Sequence, residues 1–145
     1  MSTNNAETVI DRFRETLDAA ANEHDVQVFL EQNPFLLTLG YRPQGGCVIS
    51  QLPLGADFRA DFAFVIGLNS GTFVHLVEIE SPTLDMFTAS GDFSAGYNHA
   101  FQQIQDWTQW CESNCDYLAN TISDALGKRA CWERLIPHFR LIAGR

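Results

Sequence analysis

Apolar residues recur along this chain in two different periods. Ile10, Phe13, Leu17 and Ala21 fall on one stripe, so residues 5 to 22 read as an amphipathic helix. Asp25 is placed to cap a second helix through Gln32, and Asn33-Pro34 restarts the chain as a short turn or helix ending near Gly40. The run from Gly45 to Leu52 suits a first strand after a turn. The period then changes to two: residues 58 to 66 and residues 72 to 80 alternate as strands, with Gly67-Leu68-Asn69-Ser70-Gly71 as a hairpin connection. A loop follows Ser81-Pro82 to about Phe93, and Ser94 caps a long helix to about Glu112. Tyr97, Ala100, Phe101, Ile104, Trp107 and Cys111 form its apolar stripe. A further helix over about 116 to 126 stops at Gly127, and residues 139 to 143 read as a last strand. Helix, three strands, helix and strand predict an α/β chain with a mixed sheet flanked by helices. No repeat or linker divides the 145 residues, so one domain over 1–145 is expected.

A hairpin symmetric about Asn69 and Ser70 places Asp61 opposite Glu78 and Arg59 opposite Glu80. One face then carries Ala60, Phe62, Phe64 and Ile66 with Phe73, His75, Val77 and Ile79. The other carries Arg59, Asp61, Ala63 and Val65 with Val74, Leu76, Glu78 and Glu80, and so turns acidic at one end.

Composition narrows the picture. A hydrophobic fraction of 46% with 11 Phe supplies a core and excludes a disordered chain. No apolar run approaches the ~20 residues of a bilayer span. The polar, acidic start Met-Ser-Thr-Asn-Asn-Ala-Glu is no secretion signal, so the cytosol, with no membrane partner, is expected. Cys47, Cys111, Cys115 and Cys131 show no Cys-x-x-Cys spacing and read as small apolar residues. His24, His75, His99 and His138 lack zinc-ligand spacing; His75, on the apolar face, reads as a satisfied core histidine. Trp107, Trp110 and Trp132 read as packing residues rather than base-stacking ones. The net charge is −9, with Lys128 the single lysine beside eight arginines. That balance runs against nucleic-acid binding. A DNA contact would have to use a local arginine patch, a bound cation or a partner subunit.

Asp61, Glu78 and Glu80 carry the candidate chemistry. Like charges facing each other on a sheet destabilise it. A divalent cation is one remedy: Mg²⁺ is commonly held by one or two carboxylates and can activate water against a phosphodiester. The competing reading is that Glu80 pairs with Arg59 while Asp61 ends in solvent.

Asp61, then Glu78-Ile79-Glu80, then Gln103-Ile104-Gln105-Asp106-Trp107 on a helix resembles the PD-(D/E)XK phosphodiesterase superfamily. More specifically, the chain resembles the nuclease domain of the Shedu anti-phage defence proteins, from about residue 25 to the end. The stretches Phe29 to Leu37, Val77 to Pro82, the Gln103 helix and Ile142-Ala143-Gly144-Arg145 carry that likeness. The resemblance implies a PD-(D/E)XK nuclease-like domain that cuts DNA with Mg²⁺ or Mn²⁺ and assembles as a homo-oligomer. It implies that Asp61, Glu78 and the carbonyl of Ile79 hold metal, that Glu80 is a ligand or base, and that Gln103 orients substrate or water. Glu31, on the preceding helix, Arg59, as a positive charge, and His99, which opens the Gln103 helix, are secondary candidates. Gln103 has an alternative role as a hydrogen-bond donor at the sheet edge. Two departures stand out: Glu80 replaces the usual lysine of Glu-x-Lys, and the family's domains generally continue past the Gly-Arg strand. The alternative function is a catalytically inactive nuclease-fold domain acting through protein contacts, and an acidic DNA mimic ranks below both.

Overall fold

Alternation on either side of Asn69-Ser70 builds the centre of a four-stranded sheet. The computed structural model describes residues 3–127 and 134–143; Lys128, Cys131, Trp132, Gly144 and Arg145 lie outside the described residues. Strands β2 (Phe58–Leu68) and β3 (Gly71–Ile79) pair antiparallel from Leu68 opposite Gly71 to Phe62 opposite Val77, which is the expected register. Strand β1 (Ile49–Leu54) pairs antiparallel with β2, and β4 (Leu135–Ile142) lies parallel to β3, giving the order β1-β2-β3-β4. The Glu80 N–H donates to the Ile142 carbonyl, so alternate residues of β4 turn their polar groups toward β3. Pro137 then faces the open edge, where its missing donor costs no ladder bond.

Parallel pairing of β3 and β4 requires a long crossover. It is made by α4 (Ala95–Ser113) and α5 (Cys115–Ala125). These helices cover one face of the sheet, where Ala63, Val65, Val74 and Leu76 meet Trp107, Cys111, Leu118 and Ile122. The other face is covered by α1 (Thr3–Ala19), α2 (Glu23–Gln32) and α3 (Phe35–Thr38), where Phe62, Phe64, Ile66, Val77 and Ile79 meet Ala20, Val26, Leu30 and Leu37. The chain is thus a mixed α/β domain with a core on each side of the sheet. No helix among the described residues is long and apolar enough to cross a membrane.

Several sequence expectations shift. Asn22, not Asp25, caps α2, accepting from the Asp25 N–H; Asp25 instead accepts from the Ala21 N–H. On α1, Phe13 and Leu17 of the expected stripe pack against the core, but Ile10 is exposed and Val9 is buried in its stead; Ala20, just past the helix, is buried too. On α4 the stripe narrows to Ala100, Trp107 and Cys111, leaving Phe101 50% exposed. Gly45 and Gly46 sit in a 3-10 turn, so β1 begins only at Ile49. His75 is buried as expected but not satisfied: its Nδ1 has no hydrogen-bond partner among the described residues, and the ring stacks on Phe64 at 4.7 Å.

The largest correction lies at the end of the hairpin. Ala60 does not share a core with Phe62; it packs with Leu52, Leu54 and Trp107 in the α4–α5 layer. The β1–β2 ladder pairs Ser50 with Phe62 and Leu52 with Ala60, and it skips Gln51 and Asp61. Gln51 has φ 55, outside the extended region. The pleat reverses across that step.

Candidate functional site

The reversal fixes the position of Asp61. Its Oδ1 accepts from Gln51 Nε2 at 2.9 Å, and its Oδ2 accepts from the Ile79 N–H at 2.8 Å. Both carboxylate oxygens are therefore held, one from each neighbouring strand. Because the Glu80 N–H is spent on β4, Ile79 turns its N–H, and with it its carbonyl, toward β2. Its carbonyl thus faces the side where the Asp61 carboxylate lies.

Glu78 is 9% exposed on the last turn of the pleat before β3 ends. Gln103, reaching down from α4, donates Nε2 to its Oε1 at 2.7 Å. The sheet-edge alternative for Gln103 is thereby replaced by a bond to an acid. Burial first, then the negative charges of Asp61, Glu80 and Glu23, push the Glu78 carboxyl up to about 8; the Gln103 bond opposes them. Glu80, half-buried just past β3, is also raised, by burial and by Glu23 and Asp61, while His99 lowers it. Asp61, Glu78, Glu80, Gln103 and His99 therefore form one neighbourhood.

Two further candidates fall outside it. Arg59 is exposed and pairs across β1 with Pro53, and among the described residues no ion pair joins it to Glu80. The β2–β3 ladder ends at Phe62 and Val77, so the register that would face Arg59 with Glu80 is never reached. Glu31 accepts from Ser50 Oγ at 2.6 Å and from Gln27, and so serves the α2–β1 contact.

The structure adds two residues that sequence reasoning missed. Glu23 opens α2, where an acid reads as a complement to the helix dipole. Gln51 braces Asp61; its only sequence signal is the polar pair Ser50-Gln51 interrupting an apolar strand. Cys111, on the buried side of α4, has its thiol pushed up to about 12 by burial and by Cys115, which disfavours the reactive thiolate. A cavity of about 510 Å³ between α4, α5 and β4, lined in part by Cys111, Cys115 and Phe139, is not lined by Asp61, Glu78 or Glu80.

The donors at the site are hard: two carboxylates and a carbonyl, the set that suits Mg²⁺ with its remaining positions left to water. Among the described residues no group of three or more His, Cys, Asp or Glu side chains converges as a ready-made metal cage.

Fold and site together define a mixed α/β domain with a braced carboxylate cluster at the end of two central strands. A family profile described as the C-terminal part of the Shedu protein SduA matches residues 20–145, and the chain belongs to that family. Neither the curated proteins nor the solved structures gave a match.

Proposed function

We propose that this domain is a metal-dependent DNA endonuclease, or the nuclease domain of one, acting in bacterial anti-phage defence. One observation carries the reading: half-buried Asp61 and buried Glu78 are brought together, each held in place by a hydrogen-bond donor, and among the described residues no cationic side chain pairs with either. Asp61, Glu78 and the Ile79 carbonyl would hold the cation. When bound, it would supply charge stabilisation to a phosphodiester and lower the pKa of a bound water. Glu80, half-buried with its proton affinity raised, would take the proton from the attacking water. Gln103 fixes the Glu78 carboxylate and leaves its second amide hydrogen for substrate or water. A homo-oligomer would bring to the DNA the basic surface that a chain of net charge −9 lacks.

Plasmid nicking in Mg²⁺ or Mn²⁺ tests this. The wild type cuts, and Asp61→Ala and Glu78→Ala abolish cutting while each variant keeps the wild-type circular dichroism spectrum. Absence of cutting by the wild type with either ion, in every oligomeric state it forms, sinks the proposal. A silent nuclease-like domain acting through protein contacts is the second reading; Glu80 in the usual lysine position favours it.

A further inference from the structure

The segment joining β3 to α4 carries a feature that the carboxylate cluster does not use. Its second half folds back on itself: the Thr88 N–H donates to the Asp92 carbonyl, the Gly91 N–H to Thr88, and the Ser94 N–H to Met86. Phe87 and Phe93 form a bridge pair across this finger, and Gly91 takes φ 89 at its tip. Gly96 lets the segment seat against α4, since a Cβ there would stand 2.5 Å from Leu84 Cδ1. Three rings then stack in series from finger to helix. Phe87 lies on Phe93 at 5.2 Å and 24°, and Phe93 lies on Tyr97 at 4.7 Å and 21°. Phe87 nevertheless remains 56% exposed and Phe93 51%. Half of each ring thus forgoes the stabilisation that burial would give it.

We propose that the Phe87–Phe93–Tyr97 stack is a binding site for unpaired nucleobases, so that the substrate of the neighbouring carboxylates is nucleic acid with a single-stranded segment. The inference rests on the nuclease reading above. Three observations choose this occupant. Near-parallel rings that are half exposed accept another flat π system, and base–aromatic stacking tolerates any base because every base has a π face. The finger is part of the covalent link between Glu80 and the helix that carries His99 and Gln103, and Tyr97 lies in the first turn of that same helix. The chain also carries net charge −9, so attraction for phosphates is weak, and a grip on the bases is the kind of contact that this balance leaves effective.

The test uses the full chain with Ca²⁺ and three fluorescent probes: a short oligothymidylate, an abasic strand of equal length, and a duplex. By anisotropy the wild type binds oligothymidylate about tenfold or more tighter than the abasic strand. Phe93→Ala and Phe87→Ala each reduce that ratio to near one, and Phe93→Trp preserves it; the tryptophan variant guards against simple loss of folding. Equal binding of the base-bearing and abasic strands by the wild type overturns the proposal. So does an unchanged ratio in Phe93→Ala. A shift of oligomeric state in that variant by sedimentation velocity, with the ratio unchanged, overturns it too and assigns the rings to a second copy of this chain. The two readings fail separately. Plasmid nicking that needs Asp61 but not the rings leaves the nuclease and removes the stack; base-dependent binding without any nicking does the reverse.

Discussion

His75 and Glu78 stand three residues apart on β3, on opposite faces of the sheet, and both are buried. Burial disfavours the charged form of each, holding His75 down at about 4 and lifting Glu78 to about 8. Their surroundings differ in kind. His75 is enclosed by rings, stacked on Phe64 and edge-on to His138, with Arg140 close by and, among the described residues, no hydrogen-bond partner on Nδ1. Glu78 is met by a donor, Gln103, and then by further acids. The histidine environment is a packing solution in which neutrality is the end state. The glutamate environment concentrates negative charge and braces it, an arrangement that is poor for stability alone and suited to a cation. Perturbed ionisable groups therefore mark a site here only where the neighbours also converge.

The largest expected effect tests the acidic side of that contrast. Glu78→Gln keeps the shape and the hydrogen bond to residue 103 but removes the charge. Cleavage is expected to fall about a thousandfold, the scale of losing several kcal/mol of charge stabilisation. The denaturant midpoint in metal-free buffer is expected not to fall. A midpoint well below that of the wild type would show that the acid serves folding, and the contrast with His75 would dissolve. Gln103→Ala is the next step down, with a loss of about 10–100-fold expected from releasing a ligand's support.

On the other face the expected effect is on stability and pH. The folded-state pKa of His75 is depressed below its ordinary 6.5, so the unfolded chain binds more protons between pH 6.5 and about 4. Its contribution to stability is complete above 6.5 and is lost as pH falls through that window, on the order of 2–3 kcal/mol in all. The positive groups facing it, Arg140 and His138, reinforce the loss. His75→Phe keeps a ring against Phe64 and removes the orphaned nitrogen. Chemical denaturation from pH 7 to 4.5 is expected to show a shallower decline for this variant than for the wild type, with nicking activity unchanged. Identical pH profiles would show that His75 is not the group titrating.

Legibility in the sequence follows the same division. The β2–β3 register was readable because a two-residue turn with strict alternation leaves little freedom, and it brought Asp61 and Glu78 together correctly. Gln103 and His99 share a helix face at one-turn spacing, so their common approach to the acids was also readable. The pleat reversal was not, because a non-glycine residue at positive φ carries no compositional mark, and Ala60 was assigned to the wrong core. Pro137 concealed the first half of β4, since proline argues against a strand except at an edge, and nothing in the sequence said that this strand was one. Glu23 approaches from the start of a helix far away in sequence, and the ring stack belongs to a loop without periodicity.

The smallest expected effect concerns Gln51, which has no counterpart beside His75. Its φ of 55 strains any residue with a side chain by about 1 kcal/mol, and its amide holds Asp61. Gln51→Ala loses the hydrogen bond and keeps the strain, so a destabilisation of about 1 kcal/mol is expected. Gln51→Gly loses the same bond and relieves the strain, so its stability is expected within about 0.5 kcal/mol of wild type. Both variants are expected to lower nicking by about tenfold, since the Ile79 N–H alone then holds Asp61. The pair separates two roles that one substitution would confound. Equal destabilisation by Ala and Gly would mean that residue 51 is unstrained in solution. Full activity in both would mean that the backbone of β3 orients the acid unaided, and the bracing that sets Asp61 and Glu78 apart from His75 would narrow to Gln103.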